Sequence, residues 1–344
     1  MQYTRLEGDG LKGKARRGAA APDLSVAGIL RLIGTGPGGQ ILSALGTGPL
    51  RTEQLAQQIE DFSARSVYRH VSKMEAHQLI DRQVEPGVPS KVVLRLSQPA
   101  GRELFRLLRT FATTPRSRLP GGASNAHSWS SLSLLSELWK LGFLEELSCE
   151  PRRLTELASG SHGLTYHQVN RRAGLFLMSG LVLVSRERGY GKRYELTEHG
   201  RRRMALVAGI GRWRRHVTFD GKPGLTVTEM ATVLRAVMPL PKFPDHVGMS
   251  LELGVSGAMD VNGHRDTKTL HGIVDGSGTM QCTEEDMSSV GGSAAATINT
   301  WFAALLDGNR GRIRVRGDQE LVDSFLTQLH DILWEEDPRL AATA

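Results

Sequence analysis

The sequence predicts an α+β chain: two consecutive copies of a helix-turn-helix with a β-hairpin, then a third unit of mixed strands and helices. Three observations predict it. The stretch from Pro49 recurs from Pro151 at an offset of 102 residues. Within each copy a helical stripe of apolar residues gives way to β runs broken by Gly and Pro. The charge balance also reverses near residue 220: residues 1–220 hold 33 Lys and Arg against 19 Asp and Glu, net +14, and residues 221–344 hold 10 against 17, net −7. A basic front suits a polyanion that would repel the acidic rear, so the two parts are expected to have different partners.

Taken in order, residues 1–22 are a basic arm without the apolar centre of a secretory signal, and no run approaches the roughly 20 apolar residues that span a bilayer. A cytoplasmic, nucleoid-associated protein with no membrane partner is expected. The first unit, 23–115, opens with the helix "LSVAGILRLI". "GTGPGG" from Gly34 lacks both a strand–helix crossover and a following GK[ST], so it reads as a break rather than a nucleotide loop.

"PLRTEQLAQQI" then begins a short helix, and Ser63 is placed to cap a second helix whose buried face is Val67, Val71 and Met74. Its outward set is read as Arg65, Ser66, Arg69, His70 and Lys73. The hairpin run "LIDRQVEPGVPSKVVLRLS" and a closing helix complete the copy, and a linker covers 116–130.

The second unit, 131–217, repeats this order. Pro49, Arg51, Leu55 and Ala56 fall on Pro151, Arg153, Leu157 and Ala158, Ser63 falls on Thr165, and the apolar triplet falls on Val169, Ala173 and Phe176. After Leu79-Ile80 and Leu181-Val182 the offset slips to 100 and then 99, as a loop of different length requires. The capped helix presents Thr165, His167, Gln168, Asn170, Arg171 and Arg172, and the hairpin tip carries Arg186, Arg188, Tyr190, Lys192 and Arg193. Arg pairs bidentately with guanine and Asn or Gln with adenine, while cations on a hairpin tip meet phosphates, so double-stranded DNA is the expected partner.

The passage Gly180-Leu181-Val182 through Tyr194-Glu195-Leu196-Thr197-Glu198-His199-Gly200-Arg201 resembles winged-helix regulators of the HxlR and MarR type. The first copy departs from it at His77-Gln78, where Ser179-Gly180 stands in the second, and at Gln98-Pro99 before Gly101-Arg102. The resemblance implies a tandem winged-helix transcriptional regulator, acting either as a homodimer or as a single-chain pseudo-dimer.

The third unit, 218–344, is read as a helix stopped by Pro239, strands in "VGMSLELGVSGAMDV" and "TKTLHGIVDGSGTMQCT", a helix in "AAATINTWFAALLDG", the strand "GRIRVRG" and a last helix. Trp301, Leu306, Gly308, Val315, Gly317, Asp318 and Leu321 make the tail similar to the sterol-carrier-protein-type domain. That resemblance implies an apolar cavity for a hydrophobic small-molecule effector, with Met249, Leu251, Met259, Met280, Trp301 and Phe302 as candidate lining residues. Repression relieved by the effector is the expected mode. A hydrophobic-ligand carrier whose winged helices mediate protein contacts is the alternative.

Cys149 and Cys282 lie 133 positions apart without CxxC spacing and are expected to be inert thiols. His264 and His271 lack Cys or Glu partners for a metal, and no G-x-S-x-G elbow occurs. Neither an enzyme nor a cofactor is expected.

Overall fold

The computed structural model describes residues 25–85, 91–112, 126–140, 142–160, 163–187, 191–217, 224–259, 263–283 and 290–334. The arm 1–22, residues 116–125 of the linker, Arg188, Tyr190 and the side chain of Arg186 lie outside this description.

The first copy runs α1 (Val26–Gly34), α2 (Gly38–Thr47), β1 (Leu50–Arg51), α3 (Thr52–Gln58), α4 (Ala64–Ala76), β2 (Ile80–Glu85), β3 (Lys91–Leu96) and α5 (Ala100–Ala112). The second runs α6 (Ala126–Lys140), α7 (Phe143–Cys149), β4 (Arg152–Arg153), α8 (Leu154–Gly160), α9 (Tyr166–Met178), β5 (Val182–Glu187), β6 (Gly191–Leu196), α10 (Glu198–Arg202) and α11 (Met204–Val217). Residues 126–130, expected as linker, are helical because Leu132 and Leu135 beyond them are buried and Trp129 packs on Gly39.

Each copy has a three-stranded antiparallel sheet, β1-β3-β2 and β4-β6-β5, with matching registers: Ile80 faces Leu96 and Leu50 faces Leu94, as Val182 faces Leu196 and Arg152 faces Tyr194. The local chemistry repeats too. Ser97 and Thr197 hydroxyls donate to the carbonyls of Gln78 and Gly180, and Gly101 and Gly200 lie so close to the carbonyls of Leu79 and Leu181 that neither position has room for a Cβ.

Equivalent helices of the two copies pack on each other. α1 lies on α6, where Ser136 Oγ donates to the Ala27 carbonyl at 2.8 Å and Gly34 abuts the backbone at Leu132 and Ser133. α5 lies on α11, where Trp213 Nε1 donates to the Ala100 carbonyl at 2.9 Å and Gly209 receives Leu107. This pairing explains why α1 and the first half of α11 are apolar nearly all round: each is enclosed by several elements rather than presenting one stripe. Met204 through Gly211 is a continuous buried run.

The third unit comprises α12 (Val227–Val237), a 3-10 turn (Pro244–His246), β7 (Ser250–Met259), β8 (Arg265–Val274), β9 (Met280–Thr283), β10 (Gly292–Thr297), α13 (Ile298–Asp307), β11 (Arg314–Gly317) and α14 (Gln319–Trp334). Its sheet has the order β11-β10-β7-β8-β9, with β7 and β10 parallel and the other neighbours antiparallel. β10 corrects the expected helix start, for Ala294–Thr297 extend the sheet and the helix begins at Ile298 behind the Thr297 cap. Apart from Thr297 its residues are small and not β-branched, and it is a strand because β7 and β11 supply partners on both sides.

α12, α13 and α14 pack on the sheet, above Leu251, Leu253, Val255, Leu270 and Ala294. Arg201 Nη1 donates to the carbonyls of Ser148 at 3.1 Å and Ala236 at 2.8 Å, and Arg212 pairs with Asp307 at 2.6 Å, fastening this unit to the second copy.

Candidate nucleic-acid interface

Each capped helix starts in the way its sequence dictates. Ser63 Oγ accepts from Ser66 N–H at 3.3 Å and opens α4. Thr165 Oγ1 accepts from Gln168 N–H at 3.4 Å while Gln168 Oε1 accepts from Thr165 N–H at 2.9 Å, a reciprocal capping box at the start of α9. Thr165 and the Gln168 carbonyl oxygen are therefore occupied in starting the helix, although both residues are exposed.

Beyond the caps, Arg65, Arg69 and Lys73 stand exposed on α4 with Ser66 half-buried beside them. On α9, His167, Asn170 and Arg171 are exposed. The sequence reading missed Tyr68, 40% exposed, and Tyr166, 50% exposed. Tyr68 lies three residues from Arg65 on the polar face, and Tyr166 stacks edge-on against His167 at 6.2 Å between ring centroids. Both phenols are exposed on the same helices as these polar residues.

Two residues of the expected outward sets face inward. His70 is only 8% exposed and its Nε2 donates to the Leu32 carbonyl at 2.8 Å. Its pKa is lowered by burial, with repulsion from Lys73 and Arg69 adding and the Leu32 bond opposing. Arg172, one repeat later, is half-buried, with Nε 3.7 Å from Glu137 Oε2 of α6 and Nη1 3.4 Å from the Gln168 carbonyl. The common reason is geometric: Val67, His70, Val71 and Met74 form one i, i+3, i+4, i+7 stripe, and the same position in each copy meets the copy's first helix.

On the second hairpin Lys192 is exposed, and Arg193 is half-buried, its Nη1 3.4 Å from the Pro151 carbonyl. Arg193 thus braces β6 against the chain entering β4, leaving Lys192 as the outward cation at this end of the described hairpin.

The six residues expected around a ligand differ in burial. Leu251, Met280, Trp301 and Phe302 are buried core, with Trp301 Nε1 donating to the Gly254 carbonyl at 3.0 Å. Met249 is partly buried and Met259 is 62% exposed. A cleft of about 280 Å³ lies elsewhere, between α1, the corner joining α6 and α7, and α12, lined by Val26, Trp139, Leu144, Glu145 and Thr232 among others. Among the described residues no group of three His, Cys, Asp or Glu could hold a metal ion, and no helix is long and apolar enough to cross a membrane.

Residues 32–117 match the family of HxlR-like helix-turn-helix domains. The match falls on the first copy, whereas the passage that carried the resemblance belongs to the second. Two solved structures are similar to the chain. Diamide-treated YodB from B. subtilis is 25% identical over 24% of this chain and 85% of that one, with a TM-score of 0.22. The reduced form of the transcriptional regulator YodB from B. subtilis is 26% identical over 26% of this chain and 88% of that one, with a TM-score of 0.23. No curated protein matches the chain.

Proposed function

We propose that the chain is a DNA-binding transcriptional regulator, without enzymatic activity, in which two winged helix-turn-helix units within one polypeptide act as an intramolecular pseudo-dimer. The observation that carries this reading is the pair of exposed helix faces, Arg65, Tyr68, Arg69 and Lys73 on α4 and Tyr166, His167, Asn170 and Arg171 on α9, each beginning at a capped N-terminus. The HxlR-like match over the first copy supports it. So does the packing of α1 on α6 and of α5 on α11, because a pseudo-symmetric seam gives two reading helices a fixed spacing without a second chain.

Occlusion of a promoter, hence repression, is the mode we infer. A hydrophobic effector rests on the resemblance of the 301–321 stretch and on helices packed over one sheet. The cleft beside α1 and α12 is where a small molecule would touch both the α1/α6 seam and the third unit. The carrier alternative needs a lined cavity, and four of the residues expected to line it, Leu251, Met280, Trp301 and Phe302, are buried in the core.

The test is fluorescence-anisotropy binding to genomic duplex fragments, beginning with the region beside the protein's own gene, across a salt series. Fragment-selective binding with a steep negative salt slope supports the reading, because released counterions scale with the phosphates contacted. Weak binding that is indifferent to sequence rejects it.

A further inference from the structure

The chain has two cysteines in 344 residues, and the fold brings both to one point. Cys149 is the last residue of α7 in the second copy, and Cys282 lies on the edge strand β9 of the C-terminal sheet. Their Sγ atoms are 2.7 Å apart, both residues are half-buried, and α7 packs on β9. The two thiols, expected to be unrelated, meet here: 133 positions of sequence separation say nothing about distance once two units dock.

A third group belongs to this point. The largely buried guanidinium of Arg201 bonds to the carbonyl of Ser148, the neighbour of Cys149, and to that of Ala236 in α12, and it interacts electrostatically with both sulfurs. It places fixed positive charge where an attacking sulfur carries negative charge.

We propose that Cys149 and Cys282 form a reversible dithiol–disulfide pair that fastens the second helix-turn-helix unit to the C-terminal sheet. The oxidant is a low-molecular-weight disulfide of the glutathione class. One protein thiolate attacks a sulfur of that disulfide, forming a mixed disulfide and releasing one small thiolate. The second protein thiolate then attacks the protein sulfur of the mixed disulfide and expels the other small thiolate. Both expelled thiolates take up the protons lost by the two cysteines. Two protein thiols are oxidised to one disulfide and the reagent is reduced to two thiols, so the balance closes, and excess small thiol runs it backwards. Because the bond joins separate units, its formation constrains α7 against β9 without changing the connectivity within either helix-turn-helix copy.

The full chain is equilibrated in glutathione redox buffers, quenched by alkylation and mapped by peptide mass spectrometry, both native and unfolded in guanidinium. The expected result is a joined Cys149–Cys282 peptide pair within one chain. Its equilibrium constant should be at least tenfold larger in the native than in the unfolded protein. The urea midpoint of the oxidised protein should also exceed that of the reduced protein, a difference absent from Cys149→Ser and Cys282→Ser variants shown to be folded by circular dichroism. The proposal is overturned if both thiols stay alkylatable, if each retains its own glutathione, if the bond links two chains, or if native and unfolded constants are equal. None of these readouts requires DNA, so failure here is separate from failure of the regulator reading.

Discussion

Gln78 and Gly180 occupy the same left-handed turn, at φ 57° and 70°, immediately after the capped helix, α4 or α9, of their respective copies. The carbonyl of each accepts from the hydroxyl of the residue that ends its hairpin, Ser97 or Thr197. Gln78 is the one non-glycine residue with positive φ among those described. The first copy thus keeps the backbone of the turn while giving up the residue that adopts it most readily.

Exchanging these residues should have opposite effects on stability. Gln78→Gly should be neutral to stabilising by up to about 1 kcal/mol, and Gly180→Gln should destabilise by about 1 kcal/mol, since a side chain in this region crowds the following carbonyl. Urea midpoints of the two variants check both signs; a destabilised Gln78→Gly protein would contradict the account.

The close approaches at Gly101 and Gly200 should be less forgiving. A Cβ at either position meets the main-chain carbonyl of Leu79 or Leu181, which cannot rotate away as a side chain would. Gly101→Ala and Gly200→Ala should each cost on the order of 3 kcal/mol. Chemical denaturation showing less than about 0.5 kcal/mol for either would mean the local backbone relaxes.

His199 should make the second copy sensitive to acid. Burial, then the charges of Arg203 and Arg202, lower its pKa from 6.5 to about 4. The folded protein therefore favours the neutral ring, so its contribution is intact above pH 6.5 and is lost as pH falls towards about 4. Over that window stability should fall by about 1.4 kcal/mol per pH unit from this group. His199→Gln should flatten the corresponding part of a stability–pH curve; an unchanged slope would assign the acid sensitivity elsewhere.

Arg171 and Arg172 are adjacent but should behave differently. Arg171 is exposed on α9, whereas Arg172 leans on Glu137 of α6. Arg171→Ala should weaken duplex binding and, if the contact is to phosphate, lower the salt slope by about 1. Arg172→Ala should leave the salt slope unchanged and cost at most about 1 kcal/mol of stability, because its ion pair is partly solvated. Equal loss of binding in both variants would show that the α6-facing side is part of the DNA surface.

Trp213 ties α11 to α5 through its indole N–H and the Ala100 carbonyl. Trp213→Phe removes that bond while keeping an aromatic ring, and should cost about 1–2 kcal/mol. Calorimetry resolves the change; no shift in the unfolding temperature would show that the bond is dispensable to the seam.

Local chemistry along the chain specifies one set of elements. Ser63 and Thr165 cap their helices, the apolar triplets Val67, Val71, Met74 and Val169, Ala173, Phe176 are buried, and both hairpins pair in equivalent registers. These depend on neighbours within a few residues, and the repeat states each of them twice. Packing between segments sets what depends on a distant partner. His70 and Arg172 turn inward because a first helix packs beside them, and the small residues of β10 form a strand because β7 and β11 flank it. Leu251, Met280, Trp301 and Phe302 fill the core because helices close over the sheet. Cys149 and Cys282 meet because α7 docks on β9. Hydrophobic periodicity reports which side of an element avoids water, but the element that covers that side is chosen by packing between segments far apart in the chain.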